Sequence, residues 1–197
     1  MKSLLGTKTA ENLMKAFAGE SQARSRYTFY AEVAEKEGFI QIRNIFNETA
    51  ANEREHAKRF FGLLEQGLRD QMPMAVQITA EYPVAGGNTL ENLKAAAAGE
   101  NEEWSDLYPT FAQIALEEGF SEVATAFKNI AKVEKRHEDR YKKLAANVEN
   151  NKVFVKENVV YWKCINCGYI EEGTDAPKVC PSCLFPQTYF EIFAETY

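Results

Sequence analysis

Two glutamate–histidine pairs and two lone glutamates are the residues of this chain best equipped for chemistry. Glu53-Arg-Glu-His56 and Glu134-Lys-Arg-His137 both read Glu-x-x-His, and they contain the only two histidines in the sequence. Residues three apart share one face of an α-helix, with about 5–6 Å between their Cβ atoms. Each pair is preceded by an isolated glutamate on an earlier amphipathic stretch: Glu20 in Ala-Gly-Glu-Ser and Glu100 in Ala-Gly-Glu-Asn. One glutamate from each of two helices, with Glu-x-x-His from each of two more, is the donor set of a di-iron or di-manganese site in a four-helix bundle. Buried ionised carboxylates are costly unless paired, hydrogen-bonded or bound to metal. Four of them on apolar helix faces point to bound cations; the alternative is that some reach solvent or pair with Arg24, Arg26 or Arg136.

Glu103 breaks the symmetry of this set. It lies three beyond Glu100 and should share its face, while the matching position in the first half is Ala23. A fifth carboxylate makes Glu103 and His56 rivals for one metal: a ferric ion favours the anion, a ferrous ion the neutral imidazole. Tyr27 and Tyr108 follow the equivalent glutamates by seven and eight positions, about two turns further along. They are placed to donate hydrogen bonds to ligating carboxylates. Phe17, Phe29, Tyr30, Trp104, Phe111 and Phe127 read as core packing.

A second metal site is written in the tail. Cys164-Ile-Asn-Cys167 and Cys180-Pro-Ser-Cys183 are two knuckles with 12 residues between them, and they use every cysteine in the chain. Four thiolates in a tetrahedron bind zinc or one iron. Spacing alone does not choose between a zinc staple and a one-electron iron carrier. The neighbouring two-metal site, which needs an electron inlet to turn over, favours iron. Gly168 and Pro181 are expected to make the tight turns of the knuckles. Thiols used as metal ligands rather than as a disulfide framework suit a reducing, cytoplasmic setting.

The elements that must hold these residues follow from periodicity. A first helix opens at Thr9-Ala-Glu-Asn-Leu13, with Thr9 as its cap, and carries Leu13, Phe17, Glu20, Arg24, Tyr27 and Ala31 at three- and four-residue spacing. Glu37-Gly38-Phe39 ends it in a tight antiparallel turn, and a second helix runs from about Ile40 to Gly67. The stretch from Gly67 to Asn88, with Pro73, Pro83 and Gly86-Gly87, is long for a loop. It suits the single long crossover of a ferritin-like bundle. The pattern then repeats: Thr89 to Leu93 and Ala98-Gly99-Glu100 match the first half at an offset of 80, whereas Glu118-Gly119-Phe120 and Glu134/His137 match at 81. One residue is gained between Glu100 and Glu118, an interval that contains Pro109. A π-bulge or kink is expected there, near the level of the metals. Fraying is expected from Asn147, and β-favouring residues from Phe154 to Trp162 lead into the first knuckle.

Composition sets the outer bounds. At 197 residues and 45% apolar content the chain suffices for one bundle and a small appendage. A formal charge of −6, without a basic stripe, argues against nucleic-acid binding. No run of 18 apolar residues occurs, so no membrane span is expected. The opening Met-Lys-Ser-Leu-Leu-Gly-Thr-Lys is too poor in apolar residues for a secretory signal.

Taken together, Ala18-Gly19-Glu20, Glu53-x-x-His56, Ala98-Gly99-Glu100-x-x-Glu103-Trp104, Glu134-x-x-His137 and the two cysteine knuckles resemble the rubrerythrin family, over essentially the whole chain. The resemblance implies a mainly α architecture: a ferritin-like four-helix bundle over 1–150 and a small β-rich rubredoxin-like domain over 151–197. It implies a non-haem di-iron peroxidase that reduces hydrogen peroxide to water and takes part in defence against oxidative stress. In that family the positions of Glu53 and Glu134 bridge two irons. Those of Glu20, Glu100, Glu103 and His137 are ligands, and that of His56 replaces Glu103 on reduction. Cys164, Cys167, Cys180 and Cys183 would hold a third iron. The family further implies a head-to-tail homodimer, fed by rubredoxin and an NAD(P)H-dependent reductase. Two rival readings remain beside it: an iron-oxidising or storage protein, and a zinc-ribbon binding module on a structural bundle.

Overall fold

Helices of matched length carry the candidate ligands. The computed structural model describes residues 2–196. Helix α1 (Lys8–Lys36) and α2 (Ile40–Leu68) form the first hairpin. The second is α3 (Thr89–Glu102), a π-turn over Glu103–Leu107, α4 (Tyr108–Glu117) and then α5 (Ser121–Glu149). At 1.5 Å per residue each long helix spans about 44 Å. The bundle and crossover of the sequence reading are present.

The cap of α1 differs from expectation. Thr7, not Thr9, is the N-cap: its hydroxyl accepts from the Ala10 amide at 3.1 Å. Thr9 is buried inside the first turn, and its hydroxyl and amide both donate to Glu118 Oε2, at 2.6 and 2.8 Å. The repeat makes this reciprocal, because Glu37 Oε2 accepts from the Thr89 amide at 2.9 Å. Each Glu-Gly-Phe turn thus reaches across to the start of the other hairpin, where a carboxylate also meets the positive end of a helix dipole. Gly38 and Gly119 make this possible at φ +83° and +85°, where a side chain would be strained.

The gained residue is absorbed in the π-turn. One extra residue in a regular α-helix would rotate everything after it by about 100°, whereas a widened turn takes it up locally. Pro109 stands just beyond, in the first turn of α4, where the widened turn relieves the clash its ring would make in a continuous helix.

Two apolar clusters fill the bundle on either side of the carboxylates. One gathers Leu13, Ala16, Phe60, Leu63, Tyr108 and Phe127 with their neighbours. The other gathers Tyr27, Tyr30, Phe46, Leu93, Ala97 and Tyr141 with theirs. Phe29 does not join them. It is 60% exposed, because it lies two residues and so about 200° around the helix from buried Tyr27. After a short 3-10 turn (Arg69–Gln71), residues 72–88 cross the bundle without helix or strand. They are fastened to α1 by Tyr82, whose hydroxyl donates to the Lys15 carbonyl, and by Tyr30, whose hydroxyl donates to the Ala85 carbonyl, both at 2.8 Å.

Helix α5 stays regular to Glu149, past the expected fraying point, and Asn151 leaves it at φ 56°. The tail is an antiparallel three-stranded sheet, β1 (Val155–Cys164), β2 (Ile170–Asp175) and β3 (Phe190–Ile192), in the order β2-β1-β3. Trp162 and Phe190 pack beside Cys164 and Cys180 in its small core. The tail meets the α1–α2 turn, with Phe154 stacked on Phe39 at 6.4 Å. No described helix is long and apolar enough to cross a membrane.

Candidate metal centres

Helix periodicity and the pairing of the two hairpins bring the candidate ligands together midway along the bundle. Glu20, Glu53, Glu100 and Glu134 are each at most 1% exposed, and His137 is also buried. Among the described residues none of the four pairs with a lysine or arginine. They form two overlapping groups, Glu20, Glu53, His56 and Glu134, and Glu53, Glu100, Glu134 and His137. Within each group one donor atom per residue lies within 4.8 Å of the others. Glu53 and Glu134 belong to both.

His56 Nδ1 lies 2.8 Å from Glu134 Oε1, 2.9 Å from Glu53 Oε2 and 3.7 Å from Glu20 Oε2. His137 Nδ1 lies 2.9 Å from Glu134 Oε2, 3.2 Å from Glu53 Oε1 and 3.5 Å from Glu100 Oε2. Glu103 stands outside both groups but beside them: it feels the charges of Glu20, Glu100, Glu134 and Glu53, and its Oε1 is 3.8 Å from the ideal Cβ position of Gly19.

The donor set fits divalent cations. Glu20 Oε2, Glu53 Oε1, Glu100 Oε2, both oxygens of Glu134 and His137 Nδ1 are buried without a hydrogen-bond partner. Converging lone pairs of this kind lack donors, and a cation supplies what they lack. The electrostatics agree. Burial, and then the charge of Glu134, pushes the Glu20 carboxyl well above its usual range; burial and Glu53 do the same to Glu100. Burial opposes ionisation of Glu53 too, but the adjacent imidazoles of His137 and His56 draw it down to about 2. Burial likewise works against charging the imidazoles. Yet the surrounding carboxylates push His56 far above its ordinary value and His137 up to about 12. The site holds more negative charge than it can bury unaided.

The two tyrosines act across the hairpins. Tyr27 Oη, from the first hairpin, donates to Glu100 Oε1 of the second at 2.5 Å, and Tyr108 Oη of the second donates to Glu20 Oε1 of the first. Burial, followed by Glu100 for Tyr27 and Glu103 for Tyr108, holds both phenols well above their usual pKa. They remain donors. Because the π-turn restores the register, Tyr108 reaches its partner despite standing one residue further from its own glutamate.

The structure also adds residues that sequence reasoning missed. Trp104, expected in the core, donates its indole N–H to Glu138 Oε2 at 2.6 Å, and Asn101 Nδ2 donates to Glu138 Oε1 at 3.0 Å. Lys142 pairs with the same carboxylate, and Lys135 Nζ lies 4.8 Å from the Trp104 ring centre. Glu138, only 2% exposed, ties the π-turn to α5. The available signal was its first-half counterpart, Ala57.

In the tail the four cysteine sulfurs gather within 4.8 Å, with Cys164–Cys183 and Cys167–Cys180 separations of 3.7 Å. A tetrahedron with metal–sulfur bonds of ~2.3 Å has edges of ~3.8 Å, so the sulfurs fit a bound ion. Gly168 turns the first knuckle at φ +81°, as expected. In the second, Pro181 lies in the turn, also as expected, and Leu184 closes it in a left-handed conformation at φ 63°. The amides of Gly168 and Leu184 close the knuckles onto the carbonyls of Cys164 and Cys180, both at 2.9 Å. The Asn166 side chain, with the Phe185 amide, lowers the Cys183 thiol to about 6, whereas burial pushes Cys164 up to about 12.

A four-helix bundle with one crossover and this donor set is a ferritin-like di-iron carboxylate protein, here with a four-cysteine iron domain appended. The rubrerythrin profile matches residues 11–145, and the profile of the rubrerythrin rubredoxin-like domain matches 162–191. Rubrerythrin-1 of Clostridium acetobutylicum is 66% identical over 198 residues, and rubrerythrin of Clostridium perfringens is 61% identical. Both alignments cover 100% of either chain. The solved structure of nigerythrin in a mixed-valent state aligns with a TM-score of 0.63 at 29% identity, covering 98% of this chain and 92% of that one. The chain belongs to the rubrerythrin family, and it is a peroxidase-type di-iron oxidoreductase.

Proposed function

We propose that the enzyme reduces hydrogen peroxide to two waters at the carboxylate–histidine centre, with electrons arriving through the four-cysteine iron. The observation that carries this is the pair of overlapping ligand groups sharing Glu53 and Glu134. Two irons held there would supply two electrons and charge stabilisation for both developing oxygens. Glu53 and Glu134, common to both groups, would hold both irons, with Glu20 and His56 holding one and Glu100 and His137 the other. Tyr27 and Tyr108 hold the terminal glutamates in position. Glu103, beside but outside the groups, carries a proton to the departing oxygen. Burial and four neighbouring carboxylates favour its protonated form. It would alternate with His56 in holding one iron as the charge of the centre changed, the anion suiting a ferric ion and the neutral imidazole a ferrous one. Each turnover consumes two protons and two electrons for every peroxide.

The two functional units divide at 150/151. Within one chain the tail touches the α1–α2 turn, and His56 lies sixteen residues along α2 from Ile40, about 24 Å away. Direct electron transfer over that span is slow, so a head-to-tail homodimer, placing one subunit's tail iron beside its partner's bundle, serves turnover better. Cys167 is exposed and offers the inlet to an external carrier. Rubredoxin, reduced by an NAD(P)H-dependent reductase, has suitable chemistry. A reducing cytoplasm suits both the carrier and the thiolates.

The test is to load the protein with iron anaerobically, count metals, reduce it fully and add peroxide. Three irons per chain and prompt re-oxidation of the bundle site are expected. Cys164→Ser should slow multiple turnover by ~10-fold or more while sparing the single reaction of the pre-reduced bundle site. Indifference of the reduced bundle site to peroxide overturns the reaction, and equal loss in both assays overturns the inlet.

A further inference from the structure

Gly19 and Gly99 stand in mid-helix, one residue before Glu20 and Glu100. Glycine is the poorest helix former after proline, and neither position requires a left-handed backbone. Nor does a neighbour forbid a side chain. A Cβ on Gly19 would meet Tyr82 Cε1 at 3.7 Å and Glu103 Oε1 at 3.8 Å, and one on Gly99 only Arg26 Nη2 at 4.0 Å. These are ordinary contacts. What the two glycines share is space: both line a chamber of about 280 Å³ between α1, the π-turn and the crossover.

The chamber runs in from the surface and ends beside the centre. Tyr82, 38% exposed, covers it from the crossover, and its hydroxyl is tied to the Lys15 carbonyl at 2.8 Å. Glu103 and Tyr108 form its inner wall, and Tyr108 donates to the buried Glu20 carboxylate behind. The lining mixes both signs, Lys15 and Arg26 with Glu81, Glu102 and Glu103, so size rather than charge is its main selector. A methyl on Gly19 would sit in the gap between the Tyr82 ring and the Glu103 carboxylate.

We propose that this chamber is the substrate's way in. On this view Gly19 and Gly99 are bare so that it stays open, and Tyr82 sets the size of what passes, admitting hydrogen peroxide and holding back bulky alkyl hydroperoxides. The choice of peroxides rests on the function proposed above; the passage itself does not.

Gly19→Ala, Gly99→Ala and Tyr82→Ala, each loaded with iron as the full-length protein, test this with three readouts. The first is the melting temperature, which the alanines should raise or leave unchanged. The second is the stopped-flow rate at which azide, a small probe that is not a substrate, develops its absorption band at the oxidised bundle site. Gly19→Ala should slow it about tenfold. The third is kcat/KM for hydrogen peroxide against tert-butyl hydroperoxide, where Tyr82→Ala should raise the relative use of the bulky substrate about tenfold. Unchanged azide rates in both alanine variants overturn the passage, as does a fall in melting temperature that accounts for the slower binding. An unaltered substrate ratio in Tyr82→Ala overturns the size filter. Should the unsubstituted protein ignore peroxide while Gly19→Ala still slows azide, the passage stands and the peroxidase reading falls.

Discussion

Replacing Tyr27 or Tyr108 by phenylalanine removes one oxygen and little else. Each ring stays in an aromatic cluster: Tyr27 lies 5.5 Å from Tyr141 and 6.1 Å from Phe46, and Tyr108 lies 5.6 Å from both Phe60 and Phe127. The lost bond is a buried phenol donating to a carboxylate, a class worth about 1.5–3 kcal/mol. At ~1.4 kcal/mol per tenfold in an equilibrium constant that is a factor of about 10–100, the range found when groups that orient metal ligands are removed. The perturbation should therefore appear as ~10–100-fold weaker ferrous-iron binding in each variant, measured by anaerobic competition with a chelator. Tyr27→Phe should weaken the end holding Glu100, and Tyr108→Phe the end holding Glu20. Because the hydroxyls touch different glutamates, the losses should add in the double variant to within ~0.5 kcal/mol. Thermal unfolding of the metal-free proteins provides the control: burial there holds Glu20 and Glu100 toward their neutral forms, so the lost bond should lower metal-free stability by only about 0.5–1.5 kcal/mol. Unaltered iron affinity with a changed metal-free melting temperature would refute the orienting role and leave the tyrosines as packing.

Two further expectations concern the scaffold. Burial works against Glu118 ionising, but hydrogen bonds from Thr9 and the Lys8 amide hold its carboxyl below the usual range. A depressed folded pKa adds stability above the unfolded value of ~4.3 and loses it as pH falls through the folded one. Glu118→Gln should thus cost about 0.5–2 kcal/mol at neutral pH, with the gap to the unsubstituted protein closing below about pH 4 in denaturant titrations; a gap independent of pH contradicts the charge-assisted cap. Trp104→Phe should destabilise the metal-free protein by about 1.5–3 kcal/mol through loss of the indole bond to Glu138. Glu138→Gln should lose less, keeping an acceptor, and equal losses would point to the Lys142 pair instead.

How much of this was legible beforehand depended on distance along the chain. The ligands, the hairpins and the extra residue near Glu103 were readable because each rests on local spacing or on the match between halves. The cap of α1 was not. Thr7-Lys8-Thr9 offers two threonines, and the choice is settled by Glu118, 109 residues beyond Thr9. Glu138 was missed for the same reason: its partners Asn101 and Trp104 lie on another helix. Leu184 was missed because left-handed backbone normally signals glycine, and here the closed knuckle imposes it on a branched residue. Phe29 was misplaced by reading an aromatic as core without following its angle around α1.

Three departures from twofold symmetry gather at the π-turn, and they depend on one another. Ala23 becomes Glu103, a continuous helix becomes a π-turn, and Ala57 becomes Glu138, which grips that turn through Trp104. An inserted residue alone would have swung Tyr108 away from Glu20 by about 100°. The π-turn confines the change, so both reciprocal tyrosine bonds survive. The second half thereby gains a fifth carboxylate without losing the symmetric cradle. That carboxylate lies at the wall of the chamber beneath the crossover. A symmetric site would bind two metals alike; the asymmetry gives the open side an acid that its counterpart lacks. The proposed proton carrier and the proposed way in thus share one face, while Tyr141 and Phe46 pack with Tyr27 in the apolar core beyond the site.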